Sequence, residues 1–126
     1  MAFFYLSEDT TALACAGEQV IVLVAGGELD HHASPTLRQQ IAGYIEAGKR
    51  SLVLDLSAVT FIDSTAIGVL VGAAVRLQEA NGGSVAVVCA PANERVLRIF
   101  DIAGVGNAIT LSSSREDALL AMAPAG

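Results

Sequence analysis

The sequence is poor in aromatic residues and in positive charge. Aromatic residues make up 5% of its 126 residues, so the core must be built mainly from aliphatic side chains. Seven Lys and Arg face thirteen Asp and Glu, which gives a net charge of −6. Proteins that bind nucleic acid through its phosphates carry a basic surface, so this charge balance argues against a nucleic-acid partner.

Cysteines are few, and long apolar runs are absent. Cys15 and Cys89 lie in apolar, strand-like stretches without zinc-ligand spacing, which favours buried thiols over a disulfide or a metal site. The longest apolar run, 66–75, has about ten residues, whereas a membrane helix needs about 20. The N-terminus lacks the features of a signal peptide. We therefore expect no membrane association, no bound metal and a cytoplasmic location.

The apolar segments predict an α/β fold with five strands. A four-residue link joins the first two strands and is short enough for an antiparallel hairpin. The later strands are separated by helical segments, so they are expected to be parallel with right-handed crossovers. The result is a single-layer mixed β-sheet, mostly parallel with an antiparallel first strand, covered by about four helices. The predicted strands are 11–15, 20–25, 51–59, 84–90 and 108–111.

Capping residues mark the predicted helices. The second helix, 65–80, contains Gly68 and Gly72, each costing about 1 kcal/mol relative to alanine. We expect these glycines to let the helix pack closely on the sheet. Residues 1–126 are expected to form one domain, with a core of about 10–122 and short flexible termini. The predicted caps are Ser34 before Pro35, Asn93, and Ser113 with Glu116.

The stretch TFIDSTAIG, residues 60–68, places polar side chains between apolar segments. The simplest interpretation is a helix cap, in which Asp63 or Ser64 accepts a hydrogen bond from the first turn. A second interpretation is a nucleophilic Ser64 in a Ser/His/Asp set, although the sequence has no Gly-x-Ser-x-Gly motif. The remaining members of such a set would come from Asp30, His31 and His32.

A third interpretation makes Ser64 a phosphoacceptor. The N-terminus of a helix favours added negative charge, so the fold would tolerate a phosphoserine there. The phosphate would add a charge of about −1.5 to −2 beside Asp63. A partner that covers this helix end would then be repelled, so the modification would control binding without unfolding the domain.

Three segments together resemble the STAS family, specifically the anti-sigma factor antagonists. They are GELDHHASPTLRQQI (27–41), LVLDLSAVTFIDSTAIGVLVGAAVRLQEANGGSVAVV (52–88) and RIFDIAGV (98–105). The resemblance extends from about Thr10 to Met122. One departure is Ala66, where the family commonly has glycine.

The resemblance implies a partner-switching protein that is not an enzyme. Ser64 would be phosphorylated by an anti-sigma factor that is a serine kinase of the histidine-kinase-like ATPase fold. The unphosphorylated chain would bind this kinase and free a sigma factor. The phosphorylated chain would let go, and a PP2C-type phosphatase would reset it. ATP and Mg²⁺ would belong to the kinase, so no cofactor is expected here.

The same match implies a partner-binding surface around the Ser64 helix end. Asp30 is expected near that end because both follow the carboxyl ends of neighbouring parallel strands. The alternative role for Asp30 is a local turn or cap carboxylate. Segment 100–105 is expected either to form an apolar shoulder of the interface or simply to pack at a helix end. The surface comprises Asp30, Asp63, Ser64, Thr65, Ile67 and Gly68.

Two alternative functions stay open at this point. One is a non-switching STAS scaffold or sensor domain that binds a nucleotide or small ligand in the Asp30 loop. The other is a small serine hydrolase that uses Ser64. Thr65 is interpreted as a first-turn residue or a minor second phosphosite, and the sequence makes no prediction of the oligomeric state.

Overall fold

A computed structural model of the chain describes residues 3–9, 20–104 and 108–122. Within these ranges the strands form one sheet in the order β1-β2-β3-β4-β5, in which β1 is antiparallel to β2 and the other pairs are parallel. The strands are β1 (Phe4–Glu8), β2 (Val20–Leu29), β3 (Ser51–Ile62), β4 (Ser84–Val88) and β5 (Ile109–Ser112). The helices are α1 (Ser34–Glu46), α2 (Ser64–Asn81), α3 (Glu94–Ala103) and α4 (Arg115–Met122). The predicted fold class is confirmed.

The antiparallel strand β1 was not predicted. It pairs with β2 from Phe4 opposite Gly27 to Glu8 opposite Leu23. All five of its residues are exposed or only partly buried, as expected for a short strand at the edge of the sheet. The predicted strand 11–15, which contains Cys15, lies outside the described residues.

The two faces of the sheet carry different helices. Successive side chains of a strand point to opposite faces, so Leu52 and Leu54 join the large core beneath α1, α2 and α3. Val53 points the other way, into a smaller cluster that includes Ala118 of α4. Both faces are therefore covered, which explains why the parallel strands have near-continuous apolar sequences. No helix in the described part of the chain is long and apolar enough to cross a membrane.

Two predicted helix caps differ from those observed. Asn93 occupies the cap position of α3, but its side chain makes no capping hydrogen bond and donates instead to the backbone oxygen of Val59 at 2.8 Å. At α4 the cap is Ser114 and not Ser113, because the Ser114 hydroxyl accepts a hydrogen bond from the Asp117 N–H at 3.1 Å. The residue types predict where the helices start, but within the run of serines 112–114 they do not show which serine is the cap.

A buried carboxylate fastens α4 to the middle of the sheet. Asp55 is 6% exposed. It accepts hydrogen bonds from the backbone N–H of Ser57 at 2.9 Å, the Ser57 hydroxyl at 2.6 Å and Nε of Arg115 at 2.6 Å. Arg115 also forms an ion pair with Asp9. Burial alone would raise the pKa of Asp55, but the hydrogen bonds from Ser57 and Arg115 lower it below its ordinary value.

Replacing Arg115 by methionine is expected to lower the free energy of unfolding by about 1–3 kcal/mol at pH 7, because the buried carboxylate loses its charged partner. The lowered pKa of Asp55 means that its contribution to stability is present above the ordinary value of 3.8 and is lost as the pH falls below it. Urea unfolding at pH 7 and pH 3 should therefore show a smaller difference between the two proteins in acid.

Arg98→Met is the matched control, since Arg98 is exposed. This variant should change the unfolding free energy by less than about 0.5 kcal/mol. Equal stability of Arg115→Met and wild type at pH 7 would contradict the structural role of the Asp55 contact.

Candidate functional site

Two polar turns meet where β2 and β3 end. Both strands extend beyond their predicted limits, to Leu29 and Ile62, and these two residues are paired in the ladder. The backbone N–H of Asp63 then donates to the backbone oxygen of Leu29 at 3.3 Å. Asp30 and Asp63 therefore follow the strand ends at the same level of the sheet, as the parallel topology predicts.

Two irregularities in β3, opposite Gly26 and Gly27 of β2, set this register. The ladder between β2 and β3 shifts between Val24 and Gly26 and again between Gly27 and Glu28. Gly27 has φ of +84°, and a Cβ there would lie 2.0 Å from the backbone oxygen of Phe3. Only glycine fits this conformation and this close approach. At each shift the extra residue lies in β3, so Gly26 and Gly27 belong to β2 and lie opposite a bulged strand.

Asp63 caps α2 and leaves the adjacent serine available. Its backbone is extended, with φ of −112° and ψ of 174°, and its Oδ1 accepts a hydrogen bond from the Ala66 N–H at 2.9 Å. Ser64 is the first residue of the helix and is exposed. Its hydroxyl makes no hydrogen bond to any other described residue. Of the two candidates for the cap, the structure therefore selects Asp63, and the fold does not require the Ser64 hydroxyl.

Asp30 organises the turn before α1. Its Oδ1 accepts hydrogen bonds from the backbone N–H groups of His32 at 2.9 Å and Ala33 at 3.1 Å. Desolvation alone would raise the pKa of Asp30, but these hydrogen bonds and the neighbouring histidines lower it. The carboxylate thus has the local turn role that was one of its two predicted roles. It remains only partly buried, so it also lies within reach of a partner.

Ser34 does not cap α1, in contrast to the prediction. It is the first helical residue and is 2% exposed, and the cap position belongs to Ala33, which has no hydrogen-bonding side chain. The Ser34 hydroxyl donates to the backbone oxygen of Asp30 at 2.9 Å. The Asp30 carboxylate accepts from His32 and Ala33, which precede the helix, so no side chain caps the first turn of α1.

His31 lies beside Asp63, and His32 lies against His31. Nδ1 of His31 is 3.8 Å from Oδ2 of Asp63, and the ring centroids of His31 and His32 are 4.0 Å apart. Within the described ranges, neither histidine forms a hydrogen bond with Ser64. A triad needs that bond between nucleophile and base, so this geometry gives no support to the hydrolase interpretation. The described residues also contain no group of three or more metal-ligating side chains.

Ile67 does not belong to the exposed surface on which it was predicted. Its side chain is 3% exposed and packs in the main core. Helical geometry explains the correction, since Ile67 shares the sheet-facing side of α2 with Leu70 and Ala74. Thr65 and Gly68 are exposed and lie with Ser64 outside that side.

Gly68 and Gly72 are not needed for close packing on the sheet, and that prediction is wrong. Both are exposed, and a Cβ at either position would meet no atom within 4 Å. They line a shallow groove of about 200 Å³ together with Arg38 and Arg76. The glycines leave backbone uncovered at the surface of α2.

A larger groove of about 490 Å³ lies beside the Ser64 helix end and was missed from the sequence. Phe61, two residues before Asp63, is 44% exposed at this groove. In the predicted apolar shoulder, Phe100 is buried, Ile102 is exposed, and position 105 lies outside the described residues. An aromatic residue just before the polar triplet was the available signal. The lining residues are Phe61, Ile62, Glu94, Arg95, Val96, Arg98 and Ile99.

Comparison with known proteins defines the family. The sequence profile of the STAS domain matches residues 15–118, and the chain belongs to the STAS domain family. The anti-sigma-B factor antagonist of Bacillus subtilis (strain 168) is 33% identical to it over 99 residues, covering 79% of this chain and 87% of that protein. The anti-sigma F factor antagonist of Paenibacillus polymyxa is 32% identical over 101 residues, covering 79% and 84%.

Solved structures share the architecture. An anti-sigma factor antagonist from Mycobacterium paratuberculosis matches with a TM-score of 0.79 and 25% identity, covering 95% of this chain and 94% of that one. The unphosphorylated form of the anti-sigma factor antagonist SpoIIAA gives 0.72 at 24% identity, covering 91% and 93%. The phosphorylated form of SpoIIAA, a Bacillus cell fate determinant, gives 0.64 at 22% identity, covering 93% and 98%. At these identities the SpoIIAA structures bear on the fold.

The division of roles between Asp63 and Ser64 can be tested by stability. Asp63→Ala removes the cap of α2 and is expected to lower the free energy of unfolding by about 0.5–2 kcal/mol. Ser64→Ala should stay within about 0.5 kcal/mol of wild type. Urea unfolding at pH 7 measures both variants, and a reversed order would assign the cap to Ser64.

Proposed function

We propose that this chain is an anti-sigma factor antagonist that works by partner switching in the cytoplasm. The observation that carries the proposal is the exposed Ser64 hydroxyl, which lies at the start of a helix already capped by Asp63. Relatives named anti-sigma factor antagonists support the class of function. The unphosphorylated chain binds an anti-sigma factor that is a serine kinase and thereby releases a sigma factor.

Phosphorylation of Ser64 ends this binding. The kinase transfers the γ-phosphoryl group of ATP to Oγ of Ser64, the hydroxyl proton passes to a base of the kinase, and ADP leaves. ATP and Mg²⁺ are supplied by the kinase. The free N–H groups and the dipole at the start of α2 favour the added charge. Because the cap hydrogen bond belongs to Asp63, the phosphate displaces no bond of the fold.

The docking surface comprises the exposed residues around the helix end. Thr65 and Gly68 lie on the same exposed side of α2 as Ser64, and the Asp30 carboxylate borders it across the sheet edge. The uncovered backbone at Gly68 permits close approach of a partner. A dianion on Ser64 must be desolvated and lies beside Asp63, so a partner that covers this surface is repelled. A PP2C-type phosphatase restores the binding form.

The site of phosphorylation can be checked by mass spectrometry. Incubation with the cognate kinase and ATP is expected to add one phosphate to wild type and none to Ser64→Ala. Thr65→Ala is the matched control, since it removes the adjacent exposed hydroxyl and should still be phosphorylated. A phosphate that persists on Ser64→Ala would move the acceptor to another residue.

The effect of charge on binding needs a separate measurement. Ser64→Asp is expected to weaken kinase binding at least tenfold in calorimetric titration, while the circular dichroism spectrum stays that of wild type. Ser64→Asn is the neutral control of nearly equal size and should bind more tightly than Ser64→Asp. Equal affinity of the Asp and Asn variants would exclude electrostatic release.

A further inference from the structure

The turn between β2 and α1 holds the two histidines of the chain against the start of α2. Residues 26–37 and 51–75 contain no Lys or Arg. These segments include the polar edge, which consists of Asp30, His31, His32, Asp63 and Ser64, and within them the two histidines are the side chains able to carry positive charge. The arginines that directly follow the segments, Arg38 and Arg76, line the groove with Gly68 and Gly72. The carboxylates facing them are Asp30 on their own turn and Asp63 at the start of α2.

Asp63 is held by hydrogen bonds to both the sheet and helix α2. Its backbone N–H donates to Leu29 in the sheet at 3.3 Å, and its backbone oxygen accepts the Ile67 N–H at 3.2 Å. Its Oδ1 is occupied by the cap hydrogen bond with Ala66. The remaining oxygen, Oδ2, is the one that lies 3.8 Å from Nδ1 of His31. The cap hydrogen bond therefore leaves Oδ2 as the carboxylate oxygen that faces the His31 imidazole.

The turn that carries His31 is held as well. The backbone oxygen of Asp30 accepts the N–H groups of Ala33 at 3.1 Å and Ser34 at 3.0 Å. The Asp30 carboxylate accepts those of His32 and Ala33. The His31 side chain is 64% exposed, and the hydrogen bonds that hold the turn do not involve its ring. Its position beside Asp63 is set by the turn, and its side chain is free to serve a second purpose.

We propose that His31 is a positioning residue for phosphorylated Ser64, in which its imidazolium shares charge with Asp63 and with the phosphoryl group next to it. The inference rests on the proposed phosphorylation of Ser64. Without such a cation, the phosphate would add about −1.5 to −2 charge to an edge that already carries Asp30 and Asp63. His31 balances part of that charge and keeps the phosphate in its dianionic form at lower pH.

The test uses phosphoserine installed at position 64 by genetic code expansion, so that it does not depend on a kinase. The phosphorus NMR shift is followed from pH 4.5 to 8 in the otherwise native chain and in His31→Gln. A unit charge about 5 Å away in water shifts an ionisation by roughly 0.5 pH unit. We expect the titration midpoint of the phosphate to be higher in His31→Gln by about that amount.

His32→Gln is the matched control, because the His32 ring lies against His31 at a tilt of 45° and the contact with Asp63 is made by His31. It should raise the midpoint by less than half as much, and in 8 M urea all three chains should titrate alike. An unchanged midpoint in His31→Gln, or an equal shift in both variants, overturns the assignment to His31. Failure of a kinase to modify Ser64 would count against the proposed function alone, since this titration does not use one.

Discussion

Asp63 connects the end of the sheet to the start of helix α2, and the polar edge of the molecule depends on this connection. Its backbone continues the hydrogen bonding of the sheet through Leu29, and its side chain caps α2 through Ala66. A strand end, a helix start and the neighbouring turn are thus fixed relative to one another by hydrogen bonds of one residue. Because the Asp63 carboxylate caps the helix, the fold does not need the hydroxyl of the next residue, Ser64. The structural role of Asp63 is thus separate from Ser64, whose hydroxyl makes no hydrogen bond to another described residue.

The register of β2 against β3 decides which groups share that edge. A one-residue slip in a ladder moves side chains to the opposite face, so the irregularity of β3 opposite Gly26 and Gly27 is as important to the site as the polar residues themselves. It aligns Leu29 with Ile62 and places Asp30 and Asp63 at the same level. His31 then reaches Asp63 although the two lie far apart in the sequence. The arrangement of charges at this edge therefore depends on how β2 pairs with β3 and not on one loop alone.

Much of the architecture follows from sequence pattern, but the site follows only in part. The apolar runs of β3 and β4 and the helix between them are predictable because burial on both faces leaves a strong signal. The strand β1 is not, since an exposed edge strand lacks that signal. The position of Ser64 is predictable from its motif, whereas the burial of Ile67 depends on the rotation of α2 on the sheet. The groove at Phe61 lies between β3 and α3. The aromatic residue before the polar triplet is a local signal for it, but which residues of α3 line it cannot be predicted from local sequence.

The Asp55 cluster has a consequence for the order of assembly. Strands in this sheet pair with their neighbours in chain order, so most of the sheet needs only moderate loop closures. Arg115 is different, because its contacts with Asp55 and Asp9 span 60 and 106 positions. These contacts gain strength only once the strands that carry the aspartates are in place. Through Arg115, helix α4 therefore links Asp9 after β1 and Asp55 in β3. Loss of either contact weakens the attachment of the same helix to the sheet.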